Sequence, residues 1–404
     1  MLETYSRRRG GSISFLPFLA GLGLIVALVV LQMVRGLPGI STETTIAPTA
    51  VIGETRQLTF PAAGASILAV DGIGALGANS PQVQRPIASV AKVMTAYVIL
   101  KDKPLMPGQP GPTLTMTARD AARYTQMIVE DQSALPVANG QQLTQLELLQ
   151  GMLVPSANNF AEILATWDAG TLDAFVARMN AEAKALGMNS TTYVDTSGLS
   201  PRSVSTVQDQ IVLARAVMKN PVFAQIVSMS EVRLAGIGVV DSTNELLGAD
   251  GVIGIKTGFT EDAGGNLLFA AQRDVAGQKV TLFGAVLGQA TRPAAFDATK
   301  RLLQTAGPAL QLARVVSNGQ PIGTVDTAWG GEVEVLAGDD VRLLLWPGME
   351  VRMWVEFGPL EGPMAQGAQV GWLNVELGEQ MVRVPAVLSK GISRPSTIWR
   401  LTRI

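Results

Sequence analysis

The chain has 404 residues, 47% of them hydrophobic, a formal net charge of −2, and neither histidine nor cysteine. Those two empty columns exclude Ser-His-Asp and Cys-His catalysis, HExxH sites and any zinc centre built on His or Cys, and the charge gives no reason to expect a nucleic-acid partner. An enzyme made from this chain must take its nucleophile and base from Ser, Thr, Lys, Tyr, Asp or Glu.

Arg7, Arg8 and Arg9 precede an uncharged apolar run from about Ile13 to Met33. Roughly 20 helical residues span about 30 Å, the thickness of a bilayer core. The run ends at Gln32-Met33-Val34-Arg35 with no small-x-small cleavage site nearby. Residues 1–35 are therefore predicted to be a cytoplasmic tip and an uncleaved transmembrane signal anchor. The positive-inside rule then puts the rest of the chain on the periplasmic (extracytoplasmic) side of the cytoplasmic membrane. Residues 36–57, rich in Gly, Pro, Ser and Thr, are predicted to be a flexible tether.

In the body, residues 65–70 form a short apolar run with a Gly-rich exit, read as a strand. Gly72-Ile73-Gly74-Ala75-Leu76-Gly77 then matches GxGxxG. A dinucleotide site needs a helix to open there; Ala78-Asn79-Ser80-Pro81 follows instead, so the segment is read as a turn. Apolar period predicts helices over 90–100, 143–153, 160–186, 207–218 and 293–305. Residues 102–118, with Pro104, Pro107, Pro110 and Pro112, are predicted to be a loop, and Asn220-Pro221 a helix stop. Strands are expected over 252–256, 267–271 and 280–286. Beyond about Ala313, short strands over 333–336, 341–345, 351–356, 370–375 and 381–384 predict a separate small β-sandwich. The tail, 391–404, is read as solvated.

Ser89 and Lys92 stand at i and i+3, neighbours on one helical face. With no histidine, Lys92 is the candidate base. Acting near neutral pH requires its pKa to fall from ~10.4 to near 7, about 4.6 kcal/mol of bias against the charged form; burial and nearby positive charge supply such a bias. By itself Ser-x-x-Lys is common by chance and reads more simply as a helix N-cap serine with a solvated lysine. Ser156-Ala157-Asn158 and Lys256-Thr257-Gly258 add to it, at separations of 67 and 100 residues. That ordered set belongs to class A β-lactamases and penicillin-binding proteins.

On these motifs the sequence resembles the D-alanyl-D-alanine carboxypeptidases, the low-molecular-mass penicillin-binding proteins of serine type. The resemblance runs from about Glu54 to Leu388. It includes Met179-Asn180, Leu186-Gly187-Met188, Ser197-Gly198-Leu199, Thr243-Asn244-Glu245-Leu246-Leu247, and Gly254 to Thr260.

It implies an α/β (α+β) fold of the β-lactamase/transpeptidase type, in which an antiparallel sheet is flanked by helices and a helical subdomain. The expected division is a penicillin-binding serine peptidase domain over 58–312, a β-rich domain over 313–390 and a tail over 391–404. By resemblance Ser89 is the acylated nucleophile, Lys92 its base and Ser156 a proton relay. Asn158 would bind the substrate amide, and Lys256 and Thr257 the terminal carboxylate. Gly258 would let the strand approach closely, and the N–H groups of Ser89 and Phe259 would form the oxyanion hole.

The implied reaction removes the terminal D-alanine from peptidoglycan stem peptides, without metal or other cofactor, and β-lactam antibiotics would acylate the same serine. Three alternatives stand beside it. One is a DD-endopeptidase acting on crosslinks. Another is a β-lactamase, with Glu162, Glu182 or Glu231 driving deacylation. The third is a non-catalytic wall-binding protein with the same fold. Asn159-Phe160 departs from the family, where an acidic and then a small residue are usual. The membrane attachment also departs: it lies at the N-terminus rather than in a C-terminal amphipathic helix.

Overall fold

The computed structural model describes residues 16–403; Arg7, Arg8, Arg9 and the start of the apolar run lie outside them. Helix α1 (Leu16–Val34) has 19 residues, a mean hydropathy of 2.4 over its best window and no buried residue. Its length, about 28 Å at 1.5 Å per residue, matches a bilayer core, and an apolar helix exposed all round is suited to lipid rather than water.

The centre of the body is a five-stranded antiparallel sheet in the order Val252–Thr260, Gly264–Val275, Gln278–Gln289, Ala65–Val70, Gly74–Asn79. Its middle strands are buried on both faces, which explains their continuous apolar runs. The GxGxxG segment turns at Gly72 (φ +79°) straight into the edge strand Gly74–Asn79; no helix opens there.

On one face lie α2 (Lys92–Asp102), α3 (Ala118–Val129), α4 (Gln145–Leu153), α5 (Asn158–Ala169), α6 (Leu172–Ala185), α7 (Val207–Val217) and α8 (Pro221–Val227). On the other face α9 (Arg292–Ala306) covers a second apolar cluster around Phe269, Leu282 and Leu302. This agrees with the expected α+β class.

Several local expectations are corrected. The single helix over 160–186 is two, because Gly170 ends α5 at φ +79° and the Thr171 hydroxyl caps α6. Residues 102–118 are not all loop. Thr113–Thr115 is a strand paired with Gln142–Thr144, and Thr117 opens α3 with a capping box to Asp120. Asn220-Pro221 does not only stop α7: the Asn220 side chain caps α8, with Pro221 in its first turn. The Phe160 departure is matched by Gly151, since a Cβ there would overlap the Phe160 ring.

The C-terminal region is β-rich as expected. A seven-stranded antiparallel sheet packs with the pair Gln311–Val316 and Val341–Leu345 over a core including Val325, Leu343, Leu373 and Leu388. Residues 36–57 are not an unpaired tether. Ser41–Thr44 pairs with Pro321–Thr327, and Thr49–Ile52 with Met349–Phe357, forming the two edges of this sheet. Backbone pairing alone holds the polar, exposed Ser41–Thr44, while Ala50 and Ile52 of the second strand also pack on the edge of the β-domain core; each strand is only four residues long, and that concealed them.

The tail is not free in solvent either. Helix α10 (Thr397–Thr402) lies against the end of α1. Arg403 donates to the carbonyls of Gln32, Arg35 and Gly36, Arg400 donates to that of Met33, and Gln32 donates back to the Arg403 carbonyl. Carbonyls at a helix C-terminus have no intrahelical partner, so arginine is suited to this end.

Candidate active site

Ser89 lies in a tight 3-10 turn, Ala88–Ala91, that runs into α2 with Lys92 as its first residue. The turn forms the wall between the sheet and the helical layer. Ala88 holds φ +46°, a left-handed conformation that costs a non-glycine residue about 1–3 kcal/mol. Ser156, between the end of α4 and the start of α5, holds φ +73°. Strain at both positions turns their neighbourhoods toward the same point.

That point is the Lys92 amine. Its Nζ is 2.8 Å from Ser89 Oγ, 3.3 Å from Ser156 Oγ and 2.6 Å from Asn158 Oδ1. Lys92 is wholly buried, and no carboxylate lies within ion-pair distance among the described residues. Burial lowers its pKa to about 7, against a smaller raising effect of Asp195. The bias called for by the sequence argument is present. Asn158 is held in orientation by its Nδ2, which donates to Gln132 Oε1 at 3.0 Å.

The strand Val252–Thr260 carries Lys256, Thr257 and Gly258 along the opposite wall. Lys256 is buried, and its Nζ donates to the Thr257 carbonyl at 3.0 Å. Its pKa is held well below the ordinary lysine value by burial first, then by the charges of Lys92 and Arg292. Thr257 Oγ1 shares a 2.6 Å hydrogen bond with Thr243 Oγ1. At Gly258 an added Cβ would stand 2.9 Å from the Ile87 carbonyl oxygen and 3.0 Å from the Ser89 nitrogen. The missing side chain is what lets the strand lie against the nucleophile turn. Phe259, next along, is 44% exposed at the mouth.

The eight residues singled out in the sequence therefore fall on two facing walls. Two more belong with them and were missed. Asp195 accepts hydrogen bonds from the N–H groups of Ser197, Gly198 and Ser200 and from the Ser203 hydroxyl. The loop it ties packs on the nucleophile turn so tightly that a Cβ at Gly198 would overlap the Ala88 carbonyl. Asp-Thr-Ser-Gly is a recognisable Asx-type turn signal, but nothing local connects it to Ser89.

Arg292 is the second. It opens α9 after the Thr291 cap, and its buried Nε has no hydrogen-bond partner among the described residues. A cation at a helix N-terminus opposes the helix dipole, and that mismatch was readable as a sign of another task. By contrast, Glu162 is paired with Arg123 at 2.9 Å and Glu182 with Lys101 at 2.6 Å. Neither they nor Glu231 hydrogen-bond to Ser89, Lys92 or Ser156 among the described residues, so the carboxylate that a β-lactamase reading needs is not supplied by them.

Residues 57–291 match the family model described as D-alanyl-D-alanine carboxypeptidase. The chain is 27% identical over 341 residues to the D-alanyl-D-alanine carboxypeptidase DacD of Salmonella typhimurium, covering 81% of this chain and 85% of the relative. It is 29% identical over 226 residues to a D-alanyl-D-alanine endopeptidase of Escherichia coli, covering 54% of this chain and 70% of that protein. The crystal structure of the carboxypeptidase DacD from Francisella tularensis superposes with a TM-score of 0.62 at 22% identity, over 85% of this chain and 96% of that one.

Proposed function

The chain belongs to the D-alanyl-D-alanine carboxypeptidase family, and from that premise we propose how its own residues carry out the reaction. It is a serine peptidase that removes the terminal D-alanine from peptidoglycan stem peptides. The observation that carries the assignment of roles is the contact of a buried, charge-depleted Lys92 with both Ser89 and Ser156.

In its neutral form Lys92 accepts the Ser89 hydroxyl proton as Oγ attacks the carbonyl carbon of the penultimate D-alanine. The oxygen that becomes negative is met by the N–H groups of Ser89 and Phe259, each such donor worth ~2.7–4 kcal/mol. The proton then passes from Lys92, through the Ser156 hydroxyl, to the nitrogen of the departing D-alanine. The C–N bond breaks and an ester to Ser89 remains. Water, giving its proton to Lys92, hydrolyses the ester and restores the serine. Asn158 orients the substrate amide. Lys256 and Thr257, with Arg292 adding positive potential, receive the terminal carboxylate. A β-lactam follows the first half of this path, its ring amide taking the place of the scissile bond.

The peptidase unit in this reading spans 58–312, and 313–390 form the β domain, joined by strands from 36–57. The body stands outside the cytoplasmic membrane on α1. Release of D-alanine from a pentapeptide, together with labelling by a fluorescent penicillin, tests the assignment. Ser89→Ala is expected to abolish both and Lys92→Ala to slow acylation by ~10²–10⁴; unchanged labelling of Ser89→Ala overturns it. The same residues would cut crosslinks, and release of monomers from crosslinked muropeptides measures that activity separately.

A further inference from the structure

Outside the peptidase centre, a cavity of about 930 Å³ opens between the strand Thr113–Thr115, α3, α5 and the α5–α6 turn, within the ~300–1,000 Å³ range of small-molecule sites. It adjoins the centre through the first turn of α5. Asn158 turns toward Lys92, while its neighbour Asn159 lines the cavity. Asn159 also fixes the wall, accepting from the Leu135 N–H and donating to the Leu135 carbonyl.

The lining has three kinds of chemistry. Trp167 offers a half-buried indole whose N–H has no partner among the described residues. Thr113, Thr115 and Thr166 add hydroxyls. Arg123 and Glu162 form a planar two-bond pair, 3.0 and 2.9 Å, held in place by a further contact of Arg123 with Glu130 at 3.5 Å, and the outer lone pairs of Glu162 stand at fixed angles. The charges nearly cancel, since Arg119 and Arg123 face Asp120, Glu162 and Asp173. Such a site does not select an ion. It suits a neutral ligand with an apolar face and a rim of hydroxyl and amide groups. A pyranose of an N-acetylated amino sugar has that form: its C–H face stacks on an indole and its equatorial groups meet planar polar pairs.

We propose that this cavity is a saccharide site that holds the glycan strand bearing the stem peptide while Ser89 works on the peptide's end. The proposal rests on the peptidase reading for its choice of glycan, but binding there is independent of Ser89 chemistry. Both Glu162 oxygens are engaged by Arg123, so the site binds sugar without cleaving it.

The test is calorimetric titration of the full chain in detergent micelles with the N-acetylglucosamine tetramer. Wild type is expected to bind saturably. Trp167→Ala, and Thr115→Arg at the exposed rim, should bind at least tenfold more weakly while a fluorescent penicillin labels all three at one rate. D-Alanine release from free pentapeptide should be unchanged in both variants, and KM for glycan-linked pentapeptide raised. Absence of saturable binding, equal binding by both variants, or displacement of the sugar by a sugar-free stem peptide overturns the proposal. Loss of penicillin labelling in wild type would instead overturn the peptidase reading, whatever the sugar titration gives.

Discussion

Lys92 Nζ and Ser89 Oγ lie 2.8 Å apart in a pocket where burial has brought the lysine pKa to about 7. The charge of Asp195 favours the protonated amine, and it acts at a distance rather than by contact. The amine can therefore give up its proton near neutrality, which an arginine could not do. The reacting form is the neutral amine. Acylation by penicillin is expected to fall about tenfold per pH unit below 7 and to level off above it. Stopped-flow labelling from pH 5 to 9 measures this, and a flat profile across that range would exclude Lys92 as the base.

Gly258 should be intolerant for a reason of space. Its Cβ position is 3.0 Å from the Ser89 nitrogen and 3.1 Å from Ala88 Cβ, so Gly258→Ala must push the strand and the nucleophile turn apart. Displacements of that order cost about 10² in rate where geometry governs the reaction. Acylation rate is expected to drop by that factor with little change in melting temperature. A variant acylating at the wild-type rate would show that the close approach has no catalytic weight.

Asp195 separates two effects. Asp195→Asn removes the charge that raises the Lys92 pKa, and its single amide oxygen keeps the bonds from the Ser197 and Gly198 N–H groups while the Ser200 N–H loses its acceptor. Its acylation profile should move to lower pH in a protein that still folds. Asp195→Ala removes the acceptor as well, and should lower both melting temperature and acylation rate. If Asn behaves as Ala does, the loop bonds that Asn keeps carry no weight.

How much of this could be read in the sequence follows from the range of the interactions. Ser89, Lys92, Ser156, Asn158 and Lys256-Thr257-Gly258 are short words legible in the sequence; hydrogen bonds join the first four in the structure, and Gly258 lies against Ser89. Asp195 and Arg292 act through tertiary proximity across loops and a helix end, and no spacing connects them to Ser89. Residues 41–52 pair with strands roughly 280–300 positions later, a relation that composition cannot express. The α5–α6 break depended on Gly170 taking a left-handed angle inside an otherwise continuous apolar period, and glycine within a helical pattern is often tolerated.

Lys256 predicts proton uptake on binding. In the free protein, burial and the charges of Lys92 and Arg292 lower its pKa; an arriving carboxylate supplies the missing counter-charge and raises it. Ser89→Ala titrated with a D-Ala-D-Ala peptide at a series of pH values should therefore take up protons over the range in which the free Lys256 amine is neutral. Titrations in two buffers of different ionisation enthalpy would read this directly. Removing the ligand's carboxylate should abolish the uptake, and uptake that persists with an amidated peptide would assign it elsewhere.

Lys92 also predicts a gain in stability when activity is destroyed. Its folded pKa of about 7 lies below the unfolded value of ~10.4. Between these the unfolded chain binds more protons, so stability rises with pH from about 7 to about 10 and the penalty is fullest below 7. Keeping this lysine buried at pH 7 costs about 4 kcal/mol on that difference. Lys92→Met relieves the cost and gives up the contacts with Ser89, Ser156 and Asn158, at about 1 kcal/mol each. The net expectation at pH 7 is a gain of roughly 1 kcal/mol, or a melting temperature higher by ~2–4 °C. By pH 10 the relief has vanished, only the lost hydrogen bonds remain, and the variant should be the less stable protein. A calorimetric series across pH 6–10 that shows no crossing would mean the Lys92 amine is not held near a pKa of about 7 in the folded state.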